Sequence, residues 1–218
     1  MSTVVEPAAA ALLADGLRAL HIGLPADAEA RLQAYVALLA KWNRAYNLTA
    51  IREPERMVTH HVLDALAILP HLPARDGLRV LDVGSGGGVP GLPLAIARPG
   101  WHVTLLDANS KKTAFLTQAA IELPARNVDV VTARVEAYAA NAPYDVVVSR
   151  AFSELADFVH GAARHVAPGG MLAAMKGVYP HDEIAHLPAG ASVVAAPAII
   201  VPGLDAARHL VVLRAGSA

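Results

Sequence analysis

Apolar positions recur at helical spacing over the first third of the chain and gather into short, strand-like runs over the rest. Residues 8–21 read as one helix, and residues 28–46 as another, with Leu32, Tyr35, Val36, Leu39, Trp42 and Tyr46 three or four positions apart. A third helix is expected from about Pro54, a residue suited to the first helical position, to Leu69. From Arg79 onward strands are expected at 79–83, 102–107, 128–132, 144–149, 170–175, about 191–200 and 208–214. Helices are expected between them at 90–98, 110–123, a short piece near 135–140, 153–166 and about 181–187. Strands separated by helices predict a parallel, doubly wound α/β sheet. The last two strands have no helix between them, which fits an antiparallel final pair. The expected organisation is an N-terminal helical extension over 1–70 and a ligand-binding α/β domain over 71–218, packed as one compact unit.

The richest stretch runs from Arg79 to Pro93, where the apolar run Val80, Leu81, Val83 ends in Asp82, Gly84, Gly86 and Gly88 before a helix start. Glycines there let backbone amides approach a ligand, and the helix N-terminus adds free N–H groups. Two cofactors compete. Gly86, Gly88 and Gly91 satisfy the dinucleotide pattern G-x-G-x-x-G, a weak match in so glycine-rich a loop. The order Asp82-x-Gly84-x-Gly86-x-Gly88 instead resembles the first motif of class I methyltransferases, which bind S-adenosylmethionine (SAM). SAM carries an ammonium and a sulfonium, so acidic groups near the loop make electrostatic sense. A ligand-free tight turn would need only one of these glycines. Asp107 closes the next strand, about twenty residues on, the spacing at which an acid reaches a ribose hydroxyl pair. Both cofactors have that ribose. Asp107 could equally cap the following helix, a role open to Asn109 or Ser110. The strand ends Asp82–Gly88, Asp107, Thr132–Glu136, Ser149-Arg150 and Lys176-Gly177 should converge on one crevice.

Composition narrows the chemistry. With 218 residues, 55% of them hydrophobic, the chain can build one sizeable α/β unit with an appendage. A net charge of −1 does not announce a nucleic-acid partner, and the absence of cysteine removes disulfides and thiolate nucleophiles. No basic N-terminal segment precedes Ala8–Ala14, which is too short for a signal core, and Pro197 breaks the apolar run Val193–Val201. A cytoplasmic protein without membrane contact is expected. A short-chain reductase would want Tyr-x-x-x-Lys, yet the tyrosines are followed four residues later by Leu39, Ala50, Ala142, Val148 and Glu183. His60 and His61 point about 100° apart on a helix and cannot share a metal, so they read as capping or surface histidines near Asp64, and no metal is expected. Among methyl acceptors, cytosine C5 would need a cysteine. Exocyclic amines use Asn/Asp-Pro-Pro-Tyr after the fourth strand, where this chain has Ser149-Arg150-Ala151-Phe152. A ring nitrogen with a free lone pair, such as guanine N7, needs no covalent activation, and alignment could supply most of the acceleration.

Arg150 ends a strand that should be buried, so its charge needs a partner or a ligand; it is expected to position guanine or phosphate, or to pair with Asp145 or Asp157. Lys176, at the next strand end, could hold phosphate or be a solvated lysine, and Arg208 is a candidate of the same kind. Between 31 and 61, Arg31, Lys41, Arg44, Arg52 and Arg56 outnumber Glu53 and Glu55 and share the segment with Trp42 and Tyr46. That suits RNA contacts, although Trp42 suits a core position better and the charges could be a solvated face.

The words Lys41-Trp-Asn-Arg-Ala-Tyr-Asn-Leu-Thr49, His61-x-x-Asp64, Leu81–Gly91, Leu105-Leu-Asp107, Lys111-Lys112, Ala133-Arg-Val-Glu136, Ser149-Arg-Ala-Phe152, Met175-Lys-Gly177 and Arg208–Val212 together resemble the bacterial 16S ribosomal RNA guanine-N7 methyltransferases, the RsmG or glucose-inhibited division protein B family. The resemblance covers about residues 30–214. It implies a class I SAM-dependent methyltransferase fold, Rossmann-like, with a mostly parallel seven-stranded sheet, an antiparallel last strand and the helical extension. It implies SAM as cofactor and a guanine in the 530-loop region of 16S rRNA as acceptor, met within a small ribosomal subunit or its precursor by a monomer. Gly84 and Val89 would contact the cofactor, Val135 and Glu136 frame the adenine, and Arg150 line the pocket; Asp82, Gly86 and Asp107 complete the expected cofactor set, and Arg150, Lys176 and Arg208 the catalytic one. Two positions depart from the family: Val89 where leucine is usual, and Ala65 where serine is usual. A small-molecule SAM methyltransferase, or a SAM- or nucleotide-binding regulator without chemistry, remain alternatives.

Overall fold

The computed structural model describes residues 5–215, so residues 1–4 and 216–218 of the two expected regions lie outside it. Two helices open the described chain, α1 (Pro7–Leu20) and α2 (Ala28–Tyr46). Pro7 starts α1 at a position where its missing N–H costs nothing. The spacing seen in the sequence is the buried stripe of α2: Leu32, Tyr35, Val36 and Leu39 are all inaccessible. Asn47, in the left-handed conformation, ends α2 and returns its N–H to Asn43 O at 3.3 Å. The third expected helix is present but not uniform. It begins as α3 (Pro54–Met57), widens into a π-helical segment Val58–Leu63, and resumes as α4 (Asp64–Leu66) before a 3₁₀ turn at Leu69–His71. Such a bulge shifts the register of every following side chain and is common at functional sites.

The sheet strands are β1 (Arg79–Val83), β2 (His102–Asp107), β3 (Val128–Thr132), β4 (Tyr144–Ser149), β5 (Val166–Lys176), β6 (Ser192–Ala195) and β7 (His209–Arg214). They form one seven-stranded sheet in the order β3-β2-β1-β4-β5-β7-β6, with β7 antiparallel to both neighbours. Helices α5 (Gly91–Ala97), α6 (Ser110–Glu122), α7 (Leu155–Ala162) and α8 (His181–Ala185) connect them. Alternation along the strands divides the interior. Val80, Val146 and Val148 face a core shared with α1, α2, α5 and α6, while Leu81, Val83 and Val147 face α7 across the sheet. The N-terminal helices are therefore built into the main core rather than tethered to it.

Three expectations are corrected. The short helix near 135–140 is a single turn, closed by Ala137 N and Tyr138 N on Arg134 O at 3.1 and 3.0 Å. Val135 there packs on α7 at Gly161, and Tyr138 bonds Tyr144, so tertiary contacts override any helical tendency. The strand at about 191–200 is only Ser192–Ala195 plus an isolated bridge from Ala198 to His209, because Pro197 offers no N–H to a ladder. The helix expected at 153–166 stops at Ala162, and β5 starts at Val166 rather than 170. Among the described residues no helix is long and apolar enough to cross a membrane.

Candidate active site

The first glycine of the loop after β1 cannot be another residue without strain. Gly84 has φ 73° and a Cβ on it would lie 2.5 Å from the Cβ of Ala151. Gly84 N and Ser85 N both donate to Leu106 O, at 2.8 and 3.1 Å, pulling the loop onto the end of β2. Ser149 Oγ donates to Val83 O at 2.7 Å and accepts from Ala151 N at 3.0 Å, which fixes the neighbouring chain at the end of β4. Tyr35 of α2 donates to Gly87 O at 2.6 Å, and burial raises its hydroxyl pKa well above the ordinary value. A Gly84→Ala substitution is expected to destabilise the fold by about 2 kcal/mol, from positive φ and the clash combined. Thermal melting checks the number; an unchanged melting temperature would mean that the loop is not held as described.

Asp107 closes β2 and is oriented by two backbone donors: Gly86 N reaches Oδ2 at 2.9 Å and Asn109 N reaches Oδ1 at 2.8 Å. Asn109, not Asp107, caps α6 by accepting from Lys111 N at 2.9 Å. The aspartate is thus free of the capping role. A cleft of about 190 Å³ opens beside it, walled by Val83, Gly84, Leu106, Asp107, Val135 and Phe152 and edged by Glu136. Gly84 leads into a second cleft, lined by Leu48, Thr49, His61, Gly86, Val89 and Arg150. A third, of about 380 Å³, continues past His61 and Arg150 to Asp64, Lys176 and Arg208. Asp82 lines none of the three. It is fully buried; Oδ2 accepts from Gly91 N at 2.9 Å, and Oδ1 has no donor among the described residues. Burial pushes its pKa to about 7.

The basic residues are more tightly engaged than expected. Arg150 Nη1 donates to His60 O at 2.7 Å and to Asp64 Oδ2 at 3.2 Å; its ion pair is with Asp64, not with Asp145 or Asp157. Asp145 pairs with Arg75 instead. Arg208 Nε donates to the other oxygen of Asp64 at 3.1 Å, so one carboxylate, 1% exposed, joins two guanidiniums. Lys176 is not a solvated strand-end lysine: Nζ donates to Glu183 Oε2 and Ser153 O, both at 2.6 Å, and to Phe152 O at 3.2 Å.

His61 corrects the surface reading of the histidine pair. It is 4% exposed, with Nε2 2.9 Å from Thr49 Oγ1 and Nδ1 3.0 Å from His60 O and 3.2 Å from Arg150 Nη2. Burial and the Arg150 charge lower its pKa to about 4. In the 31–61 segment, Arg31 is committed to Leu123 O and Asp27. Lys41, Arg44 and Arg52 are exposed. Trp42 stacks on Tyr46 at 5.1 Å and leans on Phe115, leaving Tyr46 47% exposed.

The family described as rRNA small subunit methyltransferase G matches residues 28–211. A protein named Ribosomal RNA small subunit methyltransferase G from Nitrosospira multiformis is 52% identical over 209 residues, covering 93% of this chain and 95% of that one. Its namesake from Chromobacterium violaceum is 55% identical over 199 residues, 91% and 94% of the two chains. Among solved structures, TrmN from Thermus thermophilus superposes with a TM-score of 0.56 at 22% identity, over 79% of this chain and 53% of that one. A SAM-dependent methyltransferase from Thiobacillus denitrificans, solved with S-adenosylhomocysteine, gives 0.51 at 15% identity over 82% and 96%. At these identities the structural matches establish the class I methyltransferase fold.

Proposed function

The chain belongs to the rRNA small subunit methyltransferase G family, and on that premise we propose that it transfers a methyl group from SAM to N7 of a guanine in the 530-loop region of 16S rRNA. The observation that carries this reading is a narrow, largely apolar cleft with an oriented aspartate, joined through Arg150 and His61 to a wider basic cleft. The first cleft suits an adenosine: Asp107 keeps lone pairs beyond its two backbone bonds for ribose hydroxyls, while Val135, Phe152 and Glu136 bound the base. The loop of Gly84, Gly86 and Val89 would carry the aminoacyl tail, and the orphaned carboxylate oxygen of Asp82 behind it favours a cationic ligand.

When bound, SAM supplies an electrophilic methyl on a sulfonium. The protein has no proton to remove from N7, whose lone pair is free, so its task is alignment. Arg150 has five N–H groups and uses three within the protein, leaving two for guanine O6 or a phosphate. Arg208 and Lys176 add positive charge along the acceptor cleft, and Lys176 also fixes the Phe152 wall of the cofactor cleft. We assign residues 1–70 to an extension that carries the RNA-facing surface of Lys41, Arg44, Tyr46 and Arg52, and 71–218 to the cofactor domain. A monomer acting in the cytoplasm on an assembled small subunit or its precursor, without a metal, completes the reading.

The test is tritium transfer from labelled SAM to small ribosomal subunits from a strain lacking the gene, followed by nuclease mapping. Label in 7-methylguanosine at one 16S site supports the assignment. No label, with SAM bound by calorimetry, removes the RNA assignment; turnover without RNA would indicate a small-molecule acceptor.

A further inference from the structure

We propose that His61 is the positioning residue for Arg150, its Nδ1 accepting from the guanidinium and its Nε2 tethered to Thr49, so that the arginine presents its remaining N–H groups to the acceptor in one orientation. This rests on the methyltransferase reading above and adds a residue to it.

His61 and Arg150 are the two side chains that line both the cleft beside the glycine loop and the acceptor cleft. They form the partition where cofactor and acceptor must meet. An arginine is always charged and has only donors, so an atom bonded to it must be an acceptor. His61 Nδ1 lies 3.2 Å from Arg150 Nη2 and 3.0 Å from His60 O. His60 O already accepts from Arg150 Nη1 at 2.7 Å, and the charged guanidinium, which can only donate, favours the tautomer with the lone pair on Nδ1 and the proton on Nε2, facing Thr49 Oγ1 at 2.9 Å. Thr49 is anchored in turn, its Oγ1 accepting from Ile51 N at 3.2 Å and its N donating to Asn43 Oδ1 at 2.9 Å. The chain of contacts runs from α2, through the loop that follows it, to the π-helical segment and then to β4.

The other partners of Arg150 come from the same helical segment. Its Nη1 is held by His60 O and Asp64 Oδ2, four residues apart, with His61 between them in sequence. Without His61 the guanidinium keeps those contacts through one nitrogen alone, about which it can pivot. A second contact at Nη2 removes the pivot. A π bulge gives the local register in which His60 O, His61 Nδ1 and Asp64 Oδ2 all reach one guanidinium.

The experiment uses the full chain with small subunits and compares His61→Leu, His61→Asn, Arg150→Ala and the double variant His61→Leu/Arg150→Ala. Losing a hydrogen bond to a charged group predicts that His61→Leu lowers kcat about 10- to 100-fold. Asparagine places an amide oxygen near the position of Nδ1, so His61→Asn is expected to recover most of the loss. The double variant is expected to be no slower than Arg150→Ala, since the histidine acts only through the arginine. Equal losses in the leucine and asparagine variants, or additive losses in the double variant, overturn the proposal. If the wild type transfers no methyl, the functional reading fails by itself. The proposal is then decided by the Arg150 guanidinium NMR signal: slow rotation in the wild type and His61→Asn, lost in His61→Leu, supports it, and equal rotation in all three refutes it.

Discussion

Arg150→Ala is expected to reduce methyl transfer to small subunits by about 100-fold or more, while lowering stability by only about 1–2 kcal/mol. The two effects separate because of how Asp64 is held. Removing one partner of a buried ion pair ordinarily leaves an uncompensated charge and costs several kcal/mol. Here Arg208 stays on the other oxygen of Asp64, and the Arg150 side chain is 31% exposed, so water can fill its place. On the proposed reading the acceptor has no such substitute: two N–H groups of Arg150 have no partner among the described residues, and these are the part of its fork left to orient guanine or phosphate. Initial rates at saturating SAM, set beside melting temperatures, decide the matter. A rate that falls only in step with stability would assign Arg150 a structural role.

The glycine-loop half of the candidate site was legible in the sequence as local structure, and the half around Arg150 was not. Asp82, Gly84, Gly86 and Asp107 announce themselves because the features that matter are local: an apolar run, a glycine at positive φ, an acid at the next strand end. Their geometry is set within one β-loop-α unit and its parallel neighbour. The partners of Arg150 lie 86 and 89 residues away, and Arg208 meets Asp64 across 144. No periodicity records such a meeting, so the expected partners, Asp145 and Asp157, are aspartates close by in the chain. His61 was hidden for a second reason. On a regular α-helix it and His60 read as a capping pair, whereas in the π-helical segment it is buried against Thr49 and Arg150. The hydroxyl of Tyr35 likewise looked like one more core aromatic in α2; only the fold brings it to Gly87 O, 52 residues on. The failures in secondary structure were two short elements, residues 135–140 and 191–200, where side-chain contacts or a proline outweighed local preference, and the boundary between α7 and β5.

The pH dependence of stability should expose two buried groups that pull in opposite directions. Asp82 is pushed up to about 7 from 3.8 by burial, so between those values the folded state binds the extra proton. Its contribution is fully present below about pH 4 and is lost as pH rises through 7. His61 is lowered to about 4 from 6.5, so there the unfolded state binds the extra proton. Its contribution is present above about pH 6.5 and is lost as pH falls toward 4. The shifts correspond to swings of about 4 kcal/mol for Asp82 and about 3 kcal/mol for His61, a sizeable fraction of the stability of a typical domain. In the wild type these slopes largely cancel between about pH 4.5 and 6.5, leaving a shallow curve. Asp82→Asn keeps an acceptor for Gly91 N and removes the buried charge, so its stability should climb steeply with pH across that window. His61→Asn should do the reverse and lose stability from about pH 4.5 to 7. Urea denaturation of the ligand-free protein at half-unit pH steps measures all three curves. Parallel curves for wild type and both variants would mean that neither group is perturbed as its burial implies, and would remove the physical basis for a neutral His61 facing Arg150. Opposed slopes would place an ionisable carboxylate behind the glycine loop and an uncharged imidazole on the partition between the clefts, the pairing that a cationic cofactor and a neutral guanine acceptor require.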